Sequence, residues 1–247
     1  MKLPNILKPK NNYQLMRLGK NNDGGYLVGK KSVTNSKNLI SFGIADDWTF
    51  EDHFQKINKD IKVFAFDDTL DFKWLLKNCI KNIKKLLFFE IQLKDFTNSI
   101  LLLLKYKKFL RKINFKKKFI DYDDVLSISS NKSNIFFKID IEGSEYRIFD
   151  ELISIKDKIE AIVIELHDID LHKDKIINFI KKINLCVTHI HPNNYSRLDK
   201  FLNPTCIELT LEKNFDKINS SDVILPNPLD QKCDPKSKDH NLSFEID

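Results

Sequence analysis

Apolar positions along this chain fall into two alternating patterns. Short apolar runs, alternating or continuous, predict strands at 38–43 (NLISFG), 61–68 (IKVFAFDD), 86–93 (LLFFEIQL), 135–141 (IFFKIDI), 159–168 (IEAIVIELHD), 185–194 (LCVTHIHPNN) and 204–212 (PTCIELTLE), with a shorter one at 26–28 after a glycine turn. Segments of helical period lie between them. They are 49–58, which opens on Thr49 with Asp52 three residues on, 71–85, the first half of 99–119, 121–128, 144–154 and 173–184. In 71–85 one stripe gathers Phe72, Leu75, Leu76, Cys79, Ile80 and Ile83. Strands alternating with helices predict a mainly parallel, doubly wound sheet with right-handed crossovers. No helix-length segment separates the last two strands, so the final one is expected to run antiparallel. The expectation is a single α/β domain over 1–247. It comprises an N-terminal extension (1–37), a core (38–212) and a tail packed on the surface (213–247).

Composition narrows the function classes. Hydrophobic residues make up 42% and charged residues 31%, as in soluble globular proteins. A formal net charge of +6 admits acidic partners but is too mild to point to nucleic acid. The arginines are Arg17, Arg111, Arg147 and Arg197, so forked readout of phosphates or bases is thinly supplied. Cys79, Cys186, Cys206 and Cys233 form no CxxC pair, which argues against a zinc ribbon and reads as reduced thiols. The N-terminus has no long apolar stretch, and SILLLL at 99–104 is far too short to span a bilayer. A cytoplasmic protein without a membrane span is the expectation. The run KYKKFLRKINFKKKF (105–119) reads as a solvated helix face followed by a surface ribbon that could attract an anionic substrate. No signal of oligomeric state is present.

Open α/β sheets bind ligands beyond the carboxyl ends of their strands, and here those ends are polar. Alternation puts Phe136, Lys138, Asp140 and Glu142 on one face of their strand and Phe137, Ile139 and Ile141 on the other. Burying such charges without partners would cost many kcal/mol. Glu165 with His167, and His189 with His191 and Asn193, form same-face clusters on neighbouring strands. Each cluster alone is also what an ion-pair network or a satisfied histidine looks like; three at one edge point to a site. Asp67 ends a strand 24 positions after Gly43, where a carboxylate binds a ribose diol, although Asp68 could fill that position's other role as a helix cap. SFGIADD holds a single glycine and is not GxGxxG, which argues against NAD and FAD and tolerates a nucleoside without phosphates.

FFKIDIEGSEYRIF resembles the lKiDvEGaE signature of the FkbM-type S-adenosylmethionine-dependent methyltransferases. DYDDVLSI and IVIELHD are similar to that family's tLDdl and ivEiH segments. NDGGYLV, ISFGIADDWTFE and HIHPNN…IELTL look like one of its sub-branches, and the similarity runs from Arg17 to Glu212. The resemblance implies a Rossmann-like, seven-stranded class I methyltransferase fold. It implies cofactor contacts from Phe42, Gly43, Ala45 and Asp67, with Asp23, Gly24 and Gly25 of the DGGY turn adding to them. Asp140 and Glu142 would face the methyl donor. FGIADD departs from the family's DiGAniG. The implied reaction is O-methylation of a sugar, glycan or other small hydroxylated acceptor. His167 and His191 are the candidate bases, with Glu165 orienting one. Alternatively, Asp140, Glu142 and His167 could hold Mg²⁺ or Mn²⁺. The competing functions are an inactive accessory module that binds a nucleotide or glycan fragment, and an RNA methyltransferase using the 105–119 run.

Overall fold

The computed structural model describes residues 2–69, 72–218 and 222–245, with backbone alone at 72–75. Of the stripe expected in 71–85, the Phe72 and Leu75 side chains therefore lie outside the described residues. In chain order the strands are β1 (Asn12–Tyr13), β2 (Leu15–Leu18), β3 (Tyr26–Gly29), β4 (Asn38–Phe42), β5 (Lys62–Asp67), β6 (Asn114–Lys117), β7 (Ile135–Ile139), β8 (Ile159–Leu166), β9 (Cys186–Pro192), β10 (Ile207–Glu212) and β11 (Lys217–Ile218). The α-helices are α1 (Lys30–Asn35), α2 (Thr49–Ile57), α3 (Phe72–Leu87), α4 (Leu93–Leu110), α5 (Asp124–Ser129), α6 (Phe149–Ser154) and α7 (Ile169–Ile183).

Seven strands form one sheet in the order β6-β5-β4-β7-β8-β10-β9. The pairs from β6 to β8 are parallel, and β10 runs antiparallel to both β8 and β9. This is the Rossmann-like arrangement expected, with β4 at the point where the strand order reverses. Alternation then divides the core. Ile40, Phe42, Phe137, Ile139, Ile162 and Ile164 face Phe149 and Leu152 of α6 and Phe179 and Ile183 of α7. Their neighbours Leu39, Val63, Phe136, Ala161 and Val163 face Phe50 and Phe54 of α2 on the other side. Leu18, Tyr26, Val28 and Val33 join that second cluster, so the β2–β3 hairpin is part of the core. The tail is strapped down: β1 pairs with β11, and Leu3 bridges Phe244.

One strand lies elsewhere than the pattern predicts. LLFFEIQL (86–93) is the end of α3, a turn in which Phe89 has φ 58°, and the start of α4. A short apolar run cannot be assigned to strand or helix by period alone. The remaining place in the sheet is filled by β6 at Asn114–Lys117, inside the lysine-rich run. β6 is an edge strand with one partner, and lysines are what such an edge tolerates. Other boundaries shift modestly. The segment 144–154 splits into a 3₁₀ turn at Glu145–Arg147 and α6, and α7 begins at Ile169. At α2 the Asp47 Oδ1 accepts the Thr49 N–H at 3.0 Å, so the helix start is capped from Asp47.

Phe54 is fully buried and meets Phe136 edge-to-face, with centroids 5.0 Å apart at 78°. Phe54→Ala is expected to lower unfolding stability by about 3–5 kcal/mol through the cavity it leaves. Denaturant titration should show a lower midpoint with an unchanged slope.

Candidate active site

The cleft opens at the carboxyl ends of β4, β5 and β7, and what closes its floor is a glycine. Gly43 follows β4 with φ 73°, and a Cβ there would stand 1.6 Å from the Asp140 carbonyl oxygen. Only glycine allows the two strand ends to meet, with Asp140 N–H donating to the Phe42 carbonyl at 2.9 Å. The buried Lys138 crosses this junction and donates to the Gly43 carbonyl. Its Nζ also lies 3.5 Å from Asp140 Oδ2 and 5.8 Å from the Tyr26 ring centroid. Burial alone would lower the Lys138 pKa, but the carboxylates of Asp140, Glu51 and Glu165 outweigh it and raise it.

The first loop is clamped by Asp67. Its Oδ2 accepts the N–H groups of Ile44 (3.0 Å) and Ala45 (2.9 Å), and its Oδ1 accepts the N–H (2.8 Å) and hydroxyl (2.7 Å) of Thr69. Asp67 is thus mostly buried beneath the loop, while Asp68 is exposed in the same cleft. On the opposite rim the DGGY turn brings Asp23 and Gly24 into the cleft, with Lys20 paired to Asp47 at 3.1 Å. Burial, then Glu208 and Asp140, raise the Asp23 pKa. Gly25 and Phe42 do not line the cleft, and Phe42 is wholly in the core.

The cleft is about 420 Å³, within the range of about 300–1,000 Å³ for small-molecule sites. Seven acidic residues and three lysines line it. That excess of negative charge suits a cationic ligand and opposes a pyrophosphate.

Behind the cleft a row of polar side chains crosses the sheet. Register places Glu165 opposite Glu208 and Glu208 opposite His191, and Asp140 follows the residue paired with Ile164. The Tyr26 hydroxyl bridges the front of the row, 3.4 Å from Asp140 Oδ2 and 3.5 Å from Glu165 Oε2. Glu165 Oε1 accepts from Asn193 Nδ2 (2.7 Å) and from the Cys206 thiol (3.2 Å). Burial, Asp140 and Glu208 push the Glu165 pKa up, against His167. His167 Nδ1 meets Glu145 Oε1 at 3.1 Å, and its Nε2 stands 3.5 Å from both Glu142 and Glu165. Burial alone would lower the His167 pKa, but Glu145, Glu165 and Asp140 push it up to about 9.

Two expectations about this region change. Alternation stops when β7 ends at Ile139, so Glu142 does not share the face of Asp140. Glu142 has φ 53° and its side chain is 86% exposed at the cleft rim. His191 is fully buried, 3.4 Å from Glu208 Oε2 and separated from the cleft by that carboxylate and Glu165. Asp140 and Glu142 line the cleft, and His167 Nε2 approaches Glu142 at 3.5 Å. One ligand atom each from Asp140, Glu142 and His167 lie within 4.8 Å of one another.

Four participants escaped sequence reasoning. Glu145 is fully buried and folds under the turn, accepting the N–H groups of Ile141 (3.1 Å) and Gly143 (3.2 Å). The spacing of Glu142, Gly143 and Glu145 was its only signal. Tyr26 carried a signal in DGGY. Glu208 had none beyond its strand, and Cys233, whose thiol donates to Glu208 Oε1 at 3.4 Å, had none in the tail.

No protein-family profile matches the chain, and neither does any curated protein. Solved structures that it resembles include precorrin-6y C5,15-methyltransferase from Geobacter metallireducens, at 11% identity over 74% of this chain and 84% of that one, with a TM-score of 0.40. M. capricolum TrmK in complex with S-adenosyl-homocysteine matches at 15% identity over 78% and 69%, also at 0.40. The Methanococcus jannaschii fibrillarin pre-rRNA processing protein matches at 8% identity over 83% and 84%, again at 0.40. Among the described residues no helix is long and apolar enough to cross a membrane.

The raised His167 pKa has a signed consequence for stability. The folded state holds the proton more tightly than the unfolded chain, whose histidine titrates near 6.5. The stabilisation is complete below pH 6.5 and is lost as pH rises through about 9. The stability difference between wild type and His167→Gln should therefore be largest below pH 6.5 and shrink towards pH 9, as read from urea midpoints across that range.

Proposed function

We propose that the chain is an S-adenosylmethionine-dependent methyltransferase acting on a hydroxyl of a small or glycan acceptor. The observation that carries this reading is the acidic cleft at the sheet's reversal point, closed by a glycine where two strand ends meet. The Lys138–Asp140–Glu142–Gly143–Glu145 signature of FkbM-type enzymes supports it, since Lys138, Asp140 and Glu142 line the cleft and Glu145 holds the turn through the N–H groups of Ile141 and Gly143. The methyl donor would fit the residues present. A cationic sulfonium suits seven acidic neighbours, and a donor without phosphates suits the single-glycine loop.

When bound, the donor supplies a methyl group on a positively charged sulfur, open to displacement in line. The protein's part is positioning and proton handling. In this reading the ribose role expected of Asp67 passes to the exposed Asp68, because the Asp67 carboxylate is taken up by Ile44, Ala45 and Thr69. Lys138 and Tyr26 hold the Asp140 carboxylate in place at the cleft. Asp140, which lines the cleft, would take the proton of the acceptor hydroxyl. Glu145, Glu165 and Asp140 raise the His167 pKa, so in this reading its role is that of a cation beside Glu142 and Glu145. The base function expected of His167 or His191 therefore moves to Asp140. The second reading is a divalent cation on Asp140, Glu142 and His167, favoured by the convergence of their donor atoms.

Methyl transfer from labelled S-adenosylmethionine to a panel of hydroxylated acceptors and RNA tests the assignment. Asp140→Asn should reduce transfer by about 10²-fold or more while the variant still binds S-adenosylhomocysteine. Full activity in the variant overturns the mechanism. Loss of activity in EDTA, restored by Mg²⁺ or Mn²⁺, selects the metal reading. Transfer to RNA alone overturns the hydroxylated small-molecule or glycan acceptor.

A further inference from the structure

The net positive charge of this protein is concentrated in one element. Residues 72–110, the hairpin of α3 and α4, hold nine lysines against Glu90 and Asp95, a formal charge of +7. The whole chain carries +6, so everything outside the hairpin sums to −1. The hairpin also carries a group of strongly exposed apolar side chains. Around its turn Leu87 is 71% exposed, Phe88 75%, Phe89 96% and Leu93 64%. The lysine-flanked stripe of Leu76, Ile80 and Ile83 leads back from that tip along α3, partly exposed throughout. Scattered apolar exposure is ordinary, but exposed apolar side chains gathered around one helix–turn–helix mark an interaction surface.

The hairpin is held firmly at its root. Trp48 stacks on Phe109 at 5.1 Å and 14°, and Tyr106 is buried beside them. The two helices are tied together where Ser99 accepts from the Cys79 thiol at its carbonyl (3.3 Å) and from Asn82 at its hydroxyl (2.5 Å). The tip is thus presented by a fixed support.

Charge and side-chain type together choose the occupant. A second copy of this hairpin would bring +7 against +7. RNA matches the charge, and Phe88 and Phe89 could stack on bases, but Leu76, Ile80, Ile83, Leu87 and Leu93 make up the rest of the patch and offer no stacking face. A lipid surface with anionic headgroups satisfies both features at once. Apolar side chains enter the headgroup–acyl boundary, and lysines reach out along their stems to the phosphate level. We propose that the α3–α4 hairpin docks this protein on anionic bilayers, inserting Leu87, Phe88, Phe89 and Leu93 with lysines ringing the insertion. This docking is independent of the reaction performed in the cleft.

The test uses the full chain and co-sedimentation with vesicles of phosphatidylcholine, alone or mixed with phosphatidylserine. Binding should require phosphatidylserine and weaken as salt rises. Phe88→Ser with Phe89→Ser, which leaves charge unchanged, should weaken it by about tenfold or more. Lys84→Gln and Lys85→Gln should each weaken it by about fivefold. All four positions lie in the last turn of α3 or the exposed turn that follows, and an unchanged melting temperature confirms that the fold is intact. Equal binding to both vesicle types overturns the proposal, as does binding insensitive to the phenylalanine pair. Salt-sensitive RNA binding without vesicle binding, or a dimer dissolved by the same substitutions, also overturns it.

Discussion

The structure depends on the contact between the ends of β4 and β7. There Gly43 lies so close to the Asp140 carbonyl that no side chain fits, and the Lys138 ammonium ties the two loops by donating to the Gly43 carbonyl. The contact is both geometric and electrostatic. It sets the opening of the cleft, and it supplies a buried cation where Asp140, Glu51 and Glu165 all require one. Removing that cation would leave several carboxylates uncompensated in a low-dielectric interior, where breaking one partner of a buried pair costs about 3–5 kcal/mol.

The polar row extending from this junction runs against the usual preference of a sheet for apolar side chains. Asp140, Glu165, Glu208 and His191 occupy successive positions across four strands, and Asp23 and Glu145 press in from the loops. Burial and mutual repulsion raise the Glu165 pKa, while His167 is drawn into its charged form. Burial and the neighbouring carboxylates also raise the pKa values of the Cys206 and Cys233 thiols, which stay protonated and donate to Glu165 and Glu208. Such an arrangement is costly for stability and suits a site that must attract and orient a cationic ligand. The excess of acid over base at the cleft continues the same theme towards solvent.

Much of this was legible in the chain, for identifiable reasons. Strands buried on both faces, such as Ile135–Ile139 and Ile159–Leu166, read as near-continuous apolar runs, and the polar residues ending them marked the site. Asp67 was visible as a strand-end acid. Its clamp on Ile44 and Ala45 was not, because backbone N–H direction leaves no trace in residue type. Glu142 was misplaced because alternation holds only while the strand lasts, and Glu142, with φ 53°, stands three residues past Ile139. The strand at Asn114–Lys117 was hidden because an edge position tolerates the charges that usually signal a loop. Glu208 and Cys233 needed the tertiary fold, since they meet only when the tail returns across the sheet.

The most direct test of the central claim is calorimetric titration of S-adenosylhomocysteine, S-adenosylmethionine and NAD into the purified protein. An acidic cleft without a phosphate cradle predicts binding of both adenosyl ligands, weakened by Asp68→Ala, with no uptake of NAD. Binding of NAD, or failure of a folded protein to bind either adenosyl ligand, would contradict the account.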